Sequence, residues 1–243
     1  MTNKFDITTT YRQLVQRLSQ KHSHDEAMQT APGGEFEAIG ILERELLIQC
    51  GLKSDDYLID VGCGSGRLAK PLNEYLRGPY LGIDVVPDLL DYARGLVGRK
   101  DWRFEVASGF SIPEGDARAN MVCFFSVFTH LLHEQSFVYL RDAKRVLKSG
   151  GQVVFSFLEF AIPSHWTVFD GNVADIGGTQ HLNMFMDRDG IRAWAAHLDL
   201  EVVALHDGDK PHIPIAKPLT LEDGTTMKDR GNLGQSVAVL RKR

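Results

Sequence analysis

Tyr57-Leu-Ile-Asp-Val-Gly-Cys-Gly-Ser-Gly-Arg67 joins an apolar run to three alternating glycines. The run predicts a buried strand, and the glycines at 62, 64 and 66 predict a turn. Because glycine lacks a Cβ, such a turn can adopt positive φ angles and approach a ligand closely. A helix beginning near Arg67 presents unpaired N–H groups to that ligand. The stretch therefore predicts a strand, loop and helix that together bind a cofactor.

The spacing of these glycines distinguishes two kinds of cofactor site. Dinucleotide-binding loops have the pattern G-x-G-x-x-G, and here Arg67 stands in the third glycine position. This spacing disfavours an NAD-dependent oxidoreductase. The pattern G-x-G-x-G, with the acid Asp60 two residues earlier, resembles motif I of the class I S-adenosylmethionine-dependent methyltransferases. The resemblance implies that Asp60 orients the cofactor's amino group, and that the cofactor is contacted by Asp60, Gly62, Cys63, Gly64 and Gly66.

A second acid follows the next predicted strand, Tyr80-Leu-Gly-Ile-Asp84. Its distance from the glycines is that of the ribose ligand in a βαβ unit. A carboxylate accepts hydrogen bonds from two neighbouring hydroxyls, and its charge favours a cationic sulfonium over an anionic phosphate. Asp84 is therefore the predicted ribose ligand, with a helix N-cap ahead of Pro87 as the alternative role. Val85 is predicted to pack on the adenine.

The predicted adenine end departs from the family pattern. Family members often carry an acid after the third strand, in a run that ends in Leu-Pro. Here the comparable run is Val106-Ala-Ser-Gly-Phe-Ser-Ile-Pro113, with Ser108 in the position of the acid. A serine hydroxyl can accept the same hydrogen bond, and Phe110 can cover the ring or belong to the core. The predicted contacts here and after the fourth strand are Ser108, Gly109, Phe110, Phe125 and Ser126.

Strand and helix patterns alternate from residue 57 onward, which predicts a parallel sheet. The predicted strands are 57–61, 80–84, 102–106, 121–126, 152–157, 201–205 and 236–240. The run of motifs over residues 55–158 resembles the same methyltransferase family. We therefore expect an α/β fold: a Rossmann-like, doubly wound, seven-stranded, mostly parallel sheet with an antiparallel last strand, flanked by helices.

Two helical patterns precede the first strand. Tyr11, Leu14, Val15 and Leu18 have helical spacing, and a second such pattern begins at Phe36. A polar linker over residues 23–34 separates them and ends in two glycines. We expect an N-terminal helical cap over residues 1–50 that moves as a lid, and a methyltransferase domain over residues 51–243. Insertions are expected at 159–186 and 207–232, and the role of the second stays open.

Composition limits the class of partner. The chain has 243 residues, a net charge of -5 and a sequence pI near 6.0, which disfavours a dedicated nucleic-acid-binding protein. We expect a small-molecule acceptor, with no nucleic acid and no membrane as partner. Three cysteines without metal-ligand spacing favour the cytoplasm and no required metal. The oligomeric state stays open, and a homodimer is one option.

The predicted base is a histidine just past the fourth strand. Residues at the carboxyl ends of strands border the ligand crevice of open α/β sheets, and His130 lies there, in Phe125-Ser-Val-Phe-Thr-His130. Histidine suits proton removal near neutral pH. A structural role in the turn is the alternative for His130. Further candidate bases are His165 and His181, and candidate substrate contacts are His133, Glu159 and Trp166.

Together these features predict an S-adenosylmethionine-dependent methyltransferase acting on a small molecule. O-methylation is preferred over N- or C-methylation because candidate bases are present. A saccharide, a natural product or a lipid-like molecule is the expected acceptor. The alternative is a non-catalytic protein that binds S-adenosylmethionine or S-adenosylhomocysteine as a sensor or partner subunit. Protein and nucleic-acid acceptors are less favoured.

Overall fold

A central seven-stranded sheet organises the computed structural model, which describes residues 7–176 and 182–243. The strands are β1 (Leu58–Val61), β2 (Tyr80–Asp84), β3 (Arg103–Val106), β4 (Ala119–Phe124), β5 (Leu147–Phe157), β6 (Leu200–His206), β7 (Ile213–Pro214), β8 (Leu219–Thr220), β9 (Thr226–Met227), β10 (Arg230–Gly231) and β11 (Ser236–Lys242). The order in the sheet is β3-β2-β1-β4-β5-β11-β6, and β11 is antiparallel to both of its neighbours. The predicted fold class is confirmed.

Helices cover both faces of this sheet. They are α1 (Ile7–Lys21), α2 (His24–Thr30), α3 (Phe36–Gln49), α4 (Ala69–Leu72), α5 (Pro87–Val97), α6 (His133–Val146), α7 (Trp166–Ala174) and α8 (Arg188–His197). Every residue of β1 and β2 is buried, as expected for parallel strands with helices on both sides. One core joins the sheet to α6 and α8, and the other joins it to α3, α4 and α5.

The N-terminal region contains one helix more than the two predicted. Helix α2 lies within residues 23–34, which were expected to form a polar linker. Ser23 and Glu26 form a capping box, in which the Ser23 N–H donates to the Glu26 carboxylate over 3.1 Å. Such reciprocal bonds satisfy the free donors of a helix start, and the pattern Ser-x-x-Glu was the signal for this helix. Val15, Met28 and Leu89 then pack α1 and α2 against α5.

The helix after β1 is short, and one strand boundary differs from the prediction. After β1 only α4 is helical, and turns follow it. The side-chain amide of Asn73, just after α4, donates to the Val97 carbonyl at the end of α5 over 3.0 Å. Strand β5 begins at Leu147 instead of residue 152, and Gly150 lies within it at a φ of 78°.

The two insertions occupy separate parts of the chain. The described part of residues 159–186 contains a 3-10 turn, Pro163–His165, followed by α7. Residues 207–232 form two small antiparallel sheets, β7 with β10 and β8 with β9. Within the ranges that the structure describes, no helix combines the length and apolar composition needed to cross a membrane.

Candidate functional site

A cavity of about 540 Å³ lies at the carboxyl ends of the first four strands. Residues 60–64 line it after β1, residues 83–85 at the end of β2, and residues 125–127 after β4. The carboxyl edge of an open α/β sheet is the usual place for a ligand. The volume falls within the range of small-molecule pockets, about 300–1,000 Å³.

The glycine loop after β1 adopts the backbone geometry expected from its sequence. The φ angles of Gly62, Gly64 and Gly66 are 79°, 52° and 90°. A Cβ on Gly62 would lie 2.3 Å from Cγ2 of Val127, which is closer than any side chain tolerates. These glycines let the backbone of the loop form one wall of the cavity.

Asp84 ends β2 beside this loop. One carboxylate oxygen accepts the Gly64 N–H and the other accepts the Val86 N–H, each over 2.9 Å. Burial raises the pKa of Asp84, and these backbone N–H groups oppose the shift. The side chain is 9% exposed and lines the cavity. The N-cap of α5 is Val86, with no side-chain cap, so Asp84 does not fill the alternative role of helix N-cap.

Asp60 lies deeper, at the end of β1. Its carboxylate accepts the Tyr80 hydroxyl over 2.7 Å and the Cys123 thiol over 3.5 Å. Burial raises the pKa of Asp60 to about 7, and nearby Glu43 adds to that shift. Asp60 therefore lines the cavity with a carboxyl group whose protonated form is favoured by burial.

A buried ion pair next to Asp60 was not predicted. Arg67 donates to Glu43 through Nη2 over 2.5 Å, and through Nη1 to the Pro32 carbonyl over 2.8 Å. Both side chains line the cavity. Arg67 was noted only because it breaks the dinucleotide pattern. Glu43 shares α3 with Glu37, Arg44 and Glu45, so its sequence context does not mark it as the buried charge.

Tyr11 and His130 contact each other at the cavity wall. Their rings meet edge to face with centroids 5.5 Å apart, and both line the cavity. His130 Nδ1 lies 2.8 Å from the Leu182 carbonyl. Since a carbonyl only accepts, Nδ1 carries the proton in the neutral ring and Nε2 is the basic nitrogen. The sequence placed Tyr11 only in a helical pattern and did not identify it as a cavity residue.

The predicted adenine end is partly assembled. Phe110 and Gly109 line the cavity, and Val85, Phe125 and Ser126 line it further along. Tyr139, which was not predicted, donates its hydroxyl to the Gly109 carbonyl over 3.2 Å, with its ring against Phe110. Ser108 is exposed and lies outside the lining, so its hydroxyl is not brought to the site.

Comparisons with known proteins found a domain match and several similar folds. Residues 59–155 match the family model described as "Methyltransferase domain". Among solved structures, a methyltransferase of Anabaena variabilis described as SAM-dependent superposes with a TM-score of 0.63 at 14% identity, covering 98% of this chain and 96% of that one. A Haloferax volcanii chain solved with the Trm112 methyltransferase activator gives 0.65 at 17% identity, covering 94% and 96%.

Residues 59–155 carry the pattern of a methyltransferase domain, and the fold is that of solved structures described as SAM-dependent methyltransferases. A curated relative, O-methyltransferase cnsE of Penicillium expansum, is 26% identical over 121 residues, which is 48% of this chain and 43% of that protein. An uncharacterized protein of Methanocaldococcus jannaschii, MJ1252, is 28% identical over 117 residues, 48% of this chain and 42% of that protein. The matched region thus spans less than half the length of these relatives.

Besides Gly66 and Ser108, four predicted site residues lie outside the cavity lining: His133, Glu159, His165 and Trp166. His165 bonds through Nε2 to the Gly234 carbonyl over 3.0 Å and through Nδ1 to the Glu159 backbone. The Glu159 carboxylate accepts two N–H groups of Arg188, over 2.9 and 2.7 Å, and the Ser236 hydroxyl. Both groups therefore join loops of the protein.

His133 and Trp166 complete this set. His133 Nε2 bonds to the Phe185 carbonyl over 2.9 Å. Trp166 is 44% exposed and donates its indole N–H to the Phe160 carbonyl over 2.9 Å. The third candidate base, His181, lies outside the described residues. Nowhere in the described ranges do three or more His, Cys, Asp or Glu side chains cluster as a metal site, and metal independence stays a prediction.

Proposed function

We propose that this protein transfers a methyl group from S-adenosylmethionine to an oxygen of a small-molecule acceptor. The observation that carries the proposal is the meeting of Asp60, Asp84 and His130 in one cavity with the glycine loop. Two carboxylates suit a cationic cofactor, and a histidine at the cavity wall suits proton removal from an acceptor.

The chemistry of the lining fits S-adenosylmethionine. This cofactor carries an ammonium and a sulfonium cation, two ribose hydroxyls and an adenine ring. Asp60 is the proposed partner of the ammonium group, and Asp84 of the hydroxyls, since each carboxylate oxygen retains acceptor capacity beyond its protein bonds. Phe110 and Val85 offer apolar surface for the adenine. The same carboxylates would repel the diphosphate of NADH.

When bound, the cofactor supplies an electrophilic methyl group that leaves a neutral thioether behind. The remaining work of the protein is to hold the acceptor in line and to take its proton. His130 is the proposed base, because the Leu182 carbonyl keeps the proton on Nδ1, which makes Nε2 the basic nitrogen of the neutral ring. A hydroxyl acceptor needs such a base, which favours O-methylation, and the curated relative described as an O-methyltransferase supports this choice.

We further propose that the N-terminal helices act as a lid over this site. Tyr11 of α1, together with Ala31 and Pro32 after α2, lines the cavity. An acceptor that reaches His130 must then pass these residues. A lid built in this way excludes water during transfer and favours an acceptor small enough to be enclosed.

Titration of the protein by calorimetry tests the cofactor. S-adenosylmethionine and S-adenosylhomocysteine should bind, NADH should not, and Asp84→Ala should weaken the first two. Binding of NADH alone would overturn the proposal.

Turnover separates the enzyme from a non-catalytic binding protein. A panel of phenols, catechols, saccharides and amines is incubated with S-adenosylmethionine, and S-adenosylhomocysteine is measured. His130→Gln should retain cofactor affinity and lose turnover by about 10²–10⁴-fold, the usual contribution of a general base. Full activity of His130→Gln would show that His130 is not the base. Cofactor binding without turnover on any acceptor would favour the sensor.

A further inference from the structure

Two asparagines form a reciprocal pair beside the candidate base. Asn172 of α7 donates its side-chain amide to the Asn183 carbonyl over 3.1 Å. Asn183 donates its own side-chain amide to Oδ1 of Asn172 over 2.9 Å. Both side chains are half-buried. The Asn172 side chain donates one bond and accepts the other, whereas Asn183 donates through its side chain and accepts through its main-chain carbonyl. The pair therefore holds the main chain at residue 183 from two directions.

This main chain is the one that contacts His130. The Leu182 carbonyl, which accepts from His130 Nδ1 over 2.8 Å, belongs to the peptide unit that leads into Asn183. One residue later, the Met184 N–H donates to the Thr129 carbonyl over 2.6 Å. Residues 182–184 thus lie along the turn that carries His130, and rotation of the peptide before Asn183 would move the carbonyl away from the ring.

Helix α7 is held by polar contacts and by an aromatic cluster at its start. It lies wholly within the described residues and buries none of its side chains. Trp166 and Val173 are 44% and 50% exposed. The helix meets the neighbouring segment through the rings of Phe169 and Phe185, whose centroids lie 5.6 Å apart. The hydrogen bonds at Asn172 add a directional polar tie between α7 and residues 182–184.

We propose that Asn172 and Asn183 are positioning residues for His130. The inference rests on the proposed function, in which His130 is the base. The asparagine pair holds the Leu182 carbonyl against Nδ1, and that carbonyl keeps the ring in the tautomer whose Nε2 accepts a proton. Neither asparagine lines the cavity, so they act through the ring and not on the acceptor.

Nitrogen NMR of the histidine rings tests this without any acceptor. The protein is labelled with ¹⁵N-histidine, and the His130 signals are identified by their loss in His130→Gln. Spectra are recorded at a pH where the rings are neutral, with S-adenosylhomocysteine as the probe ligand. We expect Nδ1 to be protonated in the unaltered protein. In Asn172→Ala and in Asn183→Ala we expect a mixture of the two tautomers and faster exchange of the ring proton.

Asn73→Ala is the matched control. Asn73 is also half-buried and donates to a backbone carbonyl, that of Val97, over 3.0 Å, but it is remote from His130. It should leave the His130 signals unchanged. Asn172→Asp removes the donor to the Asn183 carbonyl in nearly the same shape, and it replaces Asn172→Ala if that variant does not fold. On an acceptor found by the panel, loss of orientation should lower kcat about 10- to 100-fold with cofactor affinity kept.

The two proposals fail in different ways. If the His130 tautomer is the same in both asparagine variants as in the unaltered protein, the positioning inference is overturned, whatever the role of His130. If the tautomer shifts but His130→Gln keeps full turnover, the asparagines position a ring that is not the base. A shifted tautomer together with loss of turnover in both His130→Gln and Asn172→Ala supports both proposals.

Discussion

The amide N–H of Gly64 donates to a carboxylate oxygen of Asp84 over 2.9 Å. This bond joins the glycine loop after β1 to the end of β2, two segments that the sequence separates by a whole helix. The second oxygen of Asp84 accepts the Val86 N–H. The carboxylate is therefore held in place before any ligand arrives, which lowers the entropy cost of binding.

Asp84→Asn should weaken cofactor binding. The substitution removes the charge and turns an amide N–H toward one of the two backbone donors, Gly64 or Val86. Hydrogen bonds to a charged group contribute about 1.5–3 kcal/mol each, so loss of one corresponds to roughly a 10- to 150-fold higher Kd for S-adenosylhomocysteine. Calorimetric titration measures this change in Kd. Asp88→Asn, at an exposed position in the first turn of α5, is the control, and equal affinities for both variants would contradict the prediction.

Asp60 should make stability depend on pH. Burial raises its pKa to about 7, above the value of about 3.9 in unfolded chains. Between these values the folded protein holds a proton that the unfolded chain has released. The stabilisation from this group is therefore fully present below about pH 4 and is lost as pH rises toward 7, at no more than about 1.4 kcal/mol per pH unit. Urea unfolding at pH 5 and pH 8 should show a smaller difference for Asp60→Asn than for the unaltered protein.

The same group should release a proton when the cofactor binds. At pH 6 Asp60 is mostly protonated, and a cationic ammonium partner favours its ionised form. Calorimetry of S-adenosylhomocysteine binding in buffers of different ionisation enthalpy measures the released protons. We expect close to one proton for the unaltered protein and none for Asp60→Asn. Equal release from both would show that Asp60 does not face the ammonium group.

Gly62→Ala should destabilise the protein by more than about 2 kcal/mol. A positive φ costs a residue with a Cβ about 1–2 kcal/mol, and here the Cβ also meets Val127 Cγ2 at 2.3 Å. The double variant Gly62→Ala/Val127→Ala should recover the free energy of unfolding lost to the clash, but not the part lost to the positive φ. Both losses are measured relative to Val127→Ala alone. Gly95→Ala is the control: in α5 nothing lies within 4 Å of an added Cβ, so stability should rise by up to about 1 kcal/mol.

The parts of the site that sequence predicts best are those carried by strand ends. Asp60 and Asp84 end neighbouring parallel strands, and parallel strands bring their carboxyl ends to one edge. Local sequence is enough to place both. Tyr11, Glu43 and Tyr139 come from helices, where a cavity-facing position has the same 3.6-residue spacing as a core position. Sequence spacing alone does not separate these two environments.

The insertion after β5 shows the other limit. A histidine and an acid in a long aromatic loop resemble acceptor contacts, yet His165 bonds to Gly234 and Glu159 bonds to Arg188. Those partners lie far along the chain, and their meeting depends on how three loops pack together. The residue types predicted polar contacts here. In the fold, those contacts are made to other groups of the protein.

The N-terminal helices should become more resistant to proteolysis when a ligand binds. Tyr11 meets His130 at the cavity wall, and α1 and α2 pack on α5 through a small separate core. Limited proteolysis should cut the segment 8–30 more slowly with S-adenosylhomocysteine present. Tyr11→Ala should lose most of that protection, because the helix then has less contact with the cavity, whereas Arg12→Ala, at an exposed position of the same helix, should keep it. Unchanged cleavage of the unaltered protein with ligand would contradict a lid.

Glu43 and Arg67 should be strongly coupled in stability. Both are buried, and the pKa of Glu43 is raised by its burial and lowered by Arg67. Removal of one partner leaves an uncompensated charge, so Glu43→Leu and Arg67→Leu should each cost about 3–5 kcal/mol in urea unfolding. The double variant removes both charges and should cost less than the sum of the two, with a coupling energy of about 1–3 kcal/mol. Additive costs would mean that the two charges are solvated separately and that Arg67 does not tie the glycine loop to α3.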